Sequence, residues 1–158
     1  MSAAAVLPVW VPDPRVDRLR GLDHRWTRVD GVPFGSTVDV EHVLLSTAGL
    51  AVVTTASAVP PSKHPLTEAH WRARKVEFLL DRVARVPVQP ILVVPGITTF
   101  GYGMRDGVLV ATTEDAVGWL AHTESTTTPL TDVQIGEMVD LLVRHTQRTE
   151  LVNASFAR

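Results

Sequence analysis

The sequence predicts an α/β domain in which a mixed sheet of about five strands is flanked by helices. Three observations carry this reading. Thr37 to Ala56, TVDVEHVLLSTAGLAVVTTA, holds two short apolar runs, Val43-Leu44-Leu45 and Leu50-Ala51-Val52-Val53, on either side of Ser46-Thr47-Ala48-Gly49. That is the pattern of a buried hairpin. Glu68 to Arg85 then places Ala69, Ala73, Val76, Leu79, Leu80 and Val83 on one arc at helical spacing, the stripe of a helix lying on a sheet. Val88 to Val94 and Val108 to Ala111 follow as further apolar strands, so helix and strand alternate.

The elements follow in chain order. Pro8, Pro12 and Pro14 block a regular helix, which makes residues 1–14 an N-terminal arm. Arg15 to Arg25 is a short charged segment with room for a few helical turns at most, interrupted by Gly21. Trp26 to Val29 reads as an edge strand turned by Asp30-Gly31 and continued irregularly through Pro33, because proline cannot donate to a central ladder. After the hairpin, Pro60, Pro61 and Pro65 mark a loop, and Thr67 is placed to cap the helix that Pro87 ends. Ile97 to Gly103 is a glycine-rich loop, and Met104 to Gly107 turns the chain into the next strand. Thr112 or Thr113 caps a short helix through Trp119 and Leu120, with Glu114 and Asp115 where the helix dipole favours carboxylates. Glu124 to Pro129 is a polar linker, and Thr131 with Gln134 forms a capping box for a last helix to about Glu150. The expected organisation is an arm at 1–14, a core at 15–122, and a linker and C-terminal helix packed on that core at 123–158.

Composition narrows function. The 158 residues are 45% hydrophobic and 20% charged, enough to bury a core without staples. There is no cysteine, which removes disulfides and thiolate metal sites and fits a cytoplasmic protein. No run reaches the roughly 20 apolar residues of a spanning helix. A net charge of -2 gives no global attraction to nucleic acid, so such binding would need a local basic patch. The six histidines lack zinc spacing, Gly101-Tyr102-Gly103 leads into a strand rather than a helix, and neither a Gly-x-Ser-x-Gly elbow nor a Walker loop occurs.

One helix face stands out. Opposite its core stripe, the Glu68–Arg85 helix carries Trp71 and Phe78 among Arg74, Lys75, Arg82 and Arg85. An aromatic strip of this kind needs a cover, supplied by the C-terminal helix or by a second copy of the chain, with the basic side chains at its edge. The other reading is a contact surface for nucleic acid.

Val40-Glu41-His42-Val43-Leu44-Leu45 and Ala48-Gly49-Leu50-Ala51-Val52-Val53 resemble the hairpin of the nuclease-related domain, NERD, a branch of the PD-(D/E)XK restriction-endonuclease-like fold. The resemblance continues through Ala73 to Leu80, Val88 to Gly96, Gly107 to Val110 and Trp119-Leu120, and so spans about residues 26–122. It implies a metal-dependent phosphodiesterase scaffold, in which two or more carboxylates hold Mg²⁺ and a lysine serves the attacking water. Glu41 falls at the first acidic position, but Thr54 stands at the second, Ala56 at the lysine position and Glu68 at the position of the family's helix glutamine. A hydroxyl is a poor substitute for an anionic ligand and a methyl group cannot replace an ammonium. The expectation is therefore a nuclease-like domain without cleavage chemistry or cofactor, which binds a protein or a nucleic acid through Trp71, Arg74, Lys75, Phe78, Arg82 and Arg85. The alternative is a divergent nuclease that holds Mg²⁺ with Glu41 and Glu68 and borrows Lys63 or Lys75.

Overall fold

The computed structural model describes residues 26–34, 39–55, 64–94, 103–123 and 129–156, with the side chains of Asp39, His64 and 153–156 excepted. The arm at 1–14, the charged segment before Trp26, Ala56, Lys63, most of the loop before Gly103 and most of the polar linker lie outside the described residues.

Six strands form one mixed sheet in the order β1-β2-β3-β4-β6-β5. They are β1 Thr27–Pro33, β2 Asp39–Ser46, β3 Gly49–Thr55, β4 Val88–Val93, β5 Gly103–Arg105 and β6 Val108–Ala111. Among the described residues three helices accompany them: α1 His64–Leu80, α2 Thr113–Ala121 and α3 Asp132–Phe156. Strands β1, β2 and β3 make an antiparallel meander, β3, β4 and β6 run parallel, and β5 pairs antiparallel on the far edge. The α/β class and the flanked mixed sheet are those the sequence predicts, with one strand more. The addition is β5, three residues that read as part of a loop.

Side chains of successive strand residues point to opposite faces, and the sheet uses both. On one face Val43, Leu45, Leu50 and Val52 pack with Ala73, Val76 and Leu80 of α1 and with Met138 and Leu142 of α3. Farther along that face, Leu66 and Ala69 of α1 cover Leu92, Val94, Val108 and Val110. On the other face Leu44, Ala51, Val53, Ile91, Val93, Leu109 and Ala111 meet Trp26 and, from α2, Ala116 and Leu120. Trp26 donates its indole N–H to the Leu120 carbonyl at 3.2 Å, which satisfies the polar atom of a buried ring.

Local chemistry sets the element ends. The strand that begins at Trp26 does not turn at Asp30-Gly31 but runs on to Pro33, because Gly31 takes a φ of 63° that lets an edge strand kink and continue. Helix α1 begins four residues earlier than Thr67 would set it, with Pro65 in its first turn, where no intrahelical N–H is lost. It ends at Leu80, five residues before the Arg85 that the sequence predicts, because the N–H groups of Val83 and Ala84 close a turn on the Leu80 carbonyl, and Arg82 and Arg85 therefore lie beyond the helix. Thr112 caps α2 by accepting the Asp115 N–H at 3.3 Å. The capping box of α3 forms in both directions: Thr131 Oγ1 accepts the Gln134 N–H at 3.1 Å, and Gln134 Oε1 accepts the Thr131 N–H at 3.0 Å. The helix then runs past Glu150 to Phe156.

Pro90 sits in a strand with neighbours on both sides. Pairing of β4 with β6 starts only at Ile91, and Gln89 spans the gap by donating its side-chain amide to the carbonyls of Pro90 at 2.9 Å and Gly107 at 3.0 Å. The β5–β6 turn has φ of 53° at Asp106 and 81° at Gly107, the Asp-Gly arrangement of a tight hairpin turn. It docks on α1, where His70 Nε2 contacts the Asp106 carbonyl.

Candidate functional site

The parallel strands β3, β4 and β6 end on the same side of the sheet, with Thr55, Val93 and Ala111 in register. In α/β sheets that edge is where ligands bind. The β2–β3 ladder closes at His42–Val53, and beyond it Glu41 takes over: its Oε1 accepts the Thr55 backbone N–H at 3.1 Å. The resemblance places Glu41 and Thr54 in one site, and the hairpin brings the Glu41 carboxylate to β3 beside Thr54. The carboxylate there serves the backbone. Thr54 is buried, and the hydroxyls of Thr54 and Thr55 have no hydrogen-bond partner among the described residues.

Of the other residues in the Mg²⁺-holding alternative, Lys63 lies outside the described residues, and Glu68 and Lys75 are engaged along α1. Glu68 projects from the second turn of α1 with its carboxylate 3.5 Å from Arg72 Nη1. Lys75, one of the two lysines that could be borrowed, holds its ammonium over the Trp71 ring, 5.0 Å from the centroid. No group of three or more His, Asp or Glu side chains able to hold a metal occurs among the described residues. A single carboxylate engaged by a backbone N–H, beside neutral hydroxyls, does not fit a cation that demands several charged or strongly polar oxygens at octahedral positions.

The outer face of α1 is different in kind. Phe78 is 82% exposed and Trp71 41%. The expected cover by the C-terminal helix is not what forms: α3 packs against β1 and spends its apolar stripe, Met138 and Leu142, on the sheet beside α1. Its own core demand takes it to the same layer as α1 rather than over it. Charges on the outer face are partly tied. Arg74 reaches Glu77 at 3.1 Å within α1, and Arg85 reaches Asp81 at 3.2 Å just past its end. Glu77 also accepts the Val88 N–H at 3.2 Å, so its carboxylate is turned toward the start of β4. Arg82 is exposed and makes no ion pair among the described residues.

A polar cluster that sequence reasoning missed lies across β1 and β2. Asp30 Oδ1 is 2.6 Å from His42 Nδ1 and 3.1 Å from Arg28 Nε, and His42 is almost wholly buried. Asp30 and His42 are direct register partners, twelve positions apart in sequence, so only the strand pairing reveals the contact. The other histidines with described side chains are also bonded within the fold: His70 to the Asp106 carbonyl, His122 to that of Gly118 at 2.8 Å and His145 to that of Pro33 at 2.8 Å.

Comparison of the chain with protein-family models, with curated proteins and with solved structures finds no match in any of the three. No helix among the described residues is long and apolar enough to cross a membrane.

Proposed function

We propose that this chain is a nuclease-like α/β domain that binds a macromolecular partner without cutting phosphodiesters, and that the outer face of α1 is its contact surface. The observation that carries the reading is the contrast between two places on the fold. At the strand ends, the one carboxylate of the nuclease pattern, Glu41, is held by the Thr55 N–H, with Thr54 where a second acid would stand. On α1, Trp71 and Phe78 stand in solvent among basic side chains while α3 packs elsewhere. Burying aromatic anchors of this size is a large part of what drives association at protein surfaces.

Incubation of the purified chain with single- and double-stranded DNA and RNA in Mg²⁺ or Mn²⁺ tests the first half. The expected result is intact polymer. Shortened products that disappear on Glu41→Ala would overturn the proposal and restore the metal-dependent nuclease built on Glu41 and Glu68.

A further inference from the structure

We infer that the partner at this surface is an unpaired nucleic-acid strand, its bases stacking on Phe78 and Trp71 and its phosphates met by Arg74, Lys75, Arg82 and Arg85. The inference rests on the proposed binding role and names the chemistry of the occupant.

Charge is the first argument. The chain as a whole is acidic, at -2, yet the segment around Phe78 carries four cations, Arg74 and Lys75 on α1 and Arg82 and Arg85 just past its end, against the two carboxylates Glu77 and Asp81. Their exposures widen the difference. The Arg74 and Arg85 side chains are 66% and 88% exposed, whereas Glu77 is 28% and Asp81 45%. Glu77 faces the β4 backbone. What projects outward is a positive strip on an otherwise negative molecule, complementary to a polyanion. The same strip argues against a second copy of the chain. Apposing two identical faces across a two-fold axis sets cations against cations.

Ring placement is the second argument. Trp71 and Phe78 are two helical turns apart, roughly 10 Å along the axis. Both rings stand on a convex helix surface rather than in a pocket, which suits stacking by bases splayed from a strand and offers nothing to read on a duplex, where the base faces are already stacked. Lys75 already holds a cation over the Trp71 indole, 5.0 Å from its centroid, which leaves Phe78, at 82% exposure, as the more open ring. Stacking of this kind is tolerant of sequence, since every base has a π face.

Fluorescence anisotropy with a labelled oligothymidylate of about 20 nucleotides tests the inference, with the matching duplex as competitor. Binding to the single strand is expected to weaken about tenfold in Phe78→Ala and to return in Phe78→Trp. Arg82→Ala with Arg85→Ala is expected to flatten the dependence of log affinity on log salt, while Met104→Ala, on the β5 edge, leaves affinity unchanged. No binding at low salt, or binding insensitive to Phe78, overturns the inference. If Phe78→Ala instead abolishes self-association measured by light scattering, the occupant is protein and the inference fails while the binding role stands. Glu41-dependent shortening of the same oligonucleotide would sink that role itself.

Discussion

Glu41 uses its carboxylate to complete the backbone bonding of β3. Its Oε1 accepts the Thr55 N–H at 3.1 Å, just past the last β2–β3 pair. A part-buried N–H deprived of its acceptor costs roughly 1–3 kcal/mol. Glu41→Ala is therefore expected to lower unfolding free energy by about that amount in denaturant titration. Glu41→Gln, which keeps a carbonyl oxygen at the same reach, should lose well under half as much. Equal losses would assign Glu41 some role other than accepting this bond. That Thr54 brings no carboxylate to the strand ends was legible from residue type alone, whereas the Glu41–Thr55 bond follows from the β2–β3 register. The Arg28–Asp30–His42 cluster was not legible, since the spacing of Asp30 and His42 matches no motif and the two meet only through the β1–β2 register.

At the scale of elements, the docking of the β5–β6 hairpin on α1 depends on one glycine. Gly107 has a φ of 81°, and a Cβ there would stand 3.1 Å from His70 Cε1. Gly107→Ala meets both a backbone penalty of roughly 1–2 kcal/mol and a side chain that must give way. Thermal unfolding should report a clear loss of stability, with hydrogen exchange rising in β5 and β6 before the β1–β3 meander. Uniform loss across the sheet would mean that the hairpin is not separately anchored. Elements with a strong period were read correctly in kind: the core stripe of α1 from Ala69 to Leu80, the α3 capping box and the central hairpin stand where the pattern puts them, while α1 stops at Leu80 and not at Arg85. The misses were places where local signals are weak or tertiary contacts decide. Strand β5 is only three residues long, and its pairing with β6 depends on the Asp106-Gly107 turn. Helix α1 extends back through Pro65 because proline is tolerated in a first turn.

Over the whole molecule, packing and exposure separate the sheet from the outer face of α1. Both faces of the sheet are filled, one by α1 and α3, the other by Trp26 and α2. The C-terminal helix lies in the layer of α1, and the aromatic and basic strip is left facing water. The proposed contact surface stands on a helix backed by Ala73, Val76 and Leu80, so binding there need not be accompanied by rearrangement of the core. The periodicity of Glu68 to Arg85 exposed this second face in the sequence, but whether α3 would cover it was a question of layer choice that no local pattern answers.

The most direct test of binding without cleavage through α1 is an amide and indole NMR titration of the full chain with an unlabelled oligothymidylate in Mg²⁺. Shifts are expected at Trp71, Lys75, Phe78 and Arg82 and at the Trp71 indole N–H, with Thr54 and Thr55 unmoved and the strand recovered at full length. Shifts centred on Glu41, Thr54 and Thr55, with the strand shortened, would contradict it.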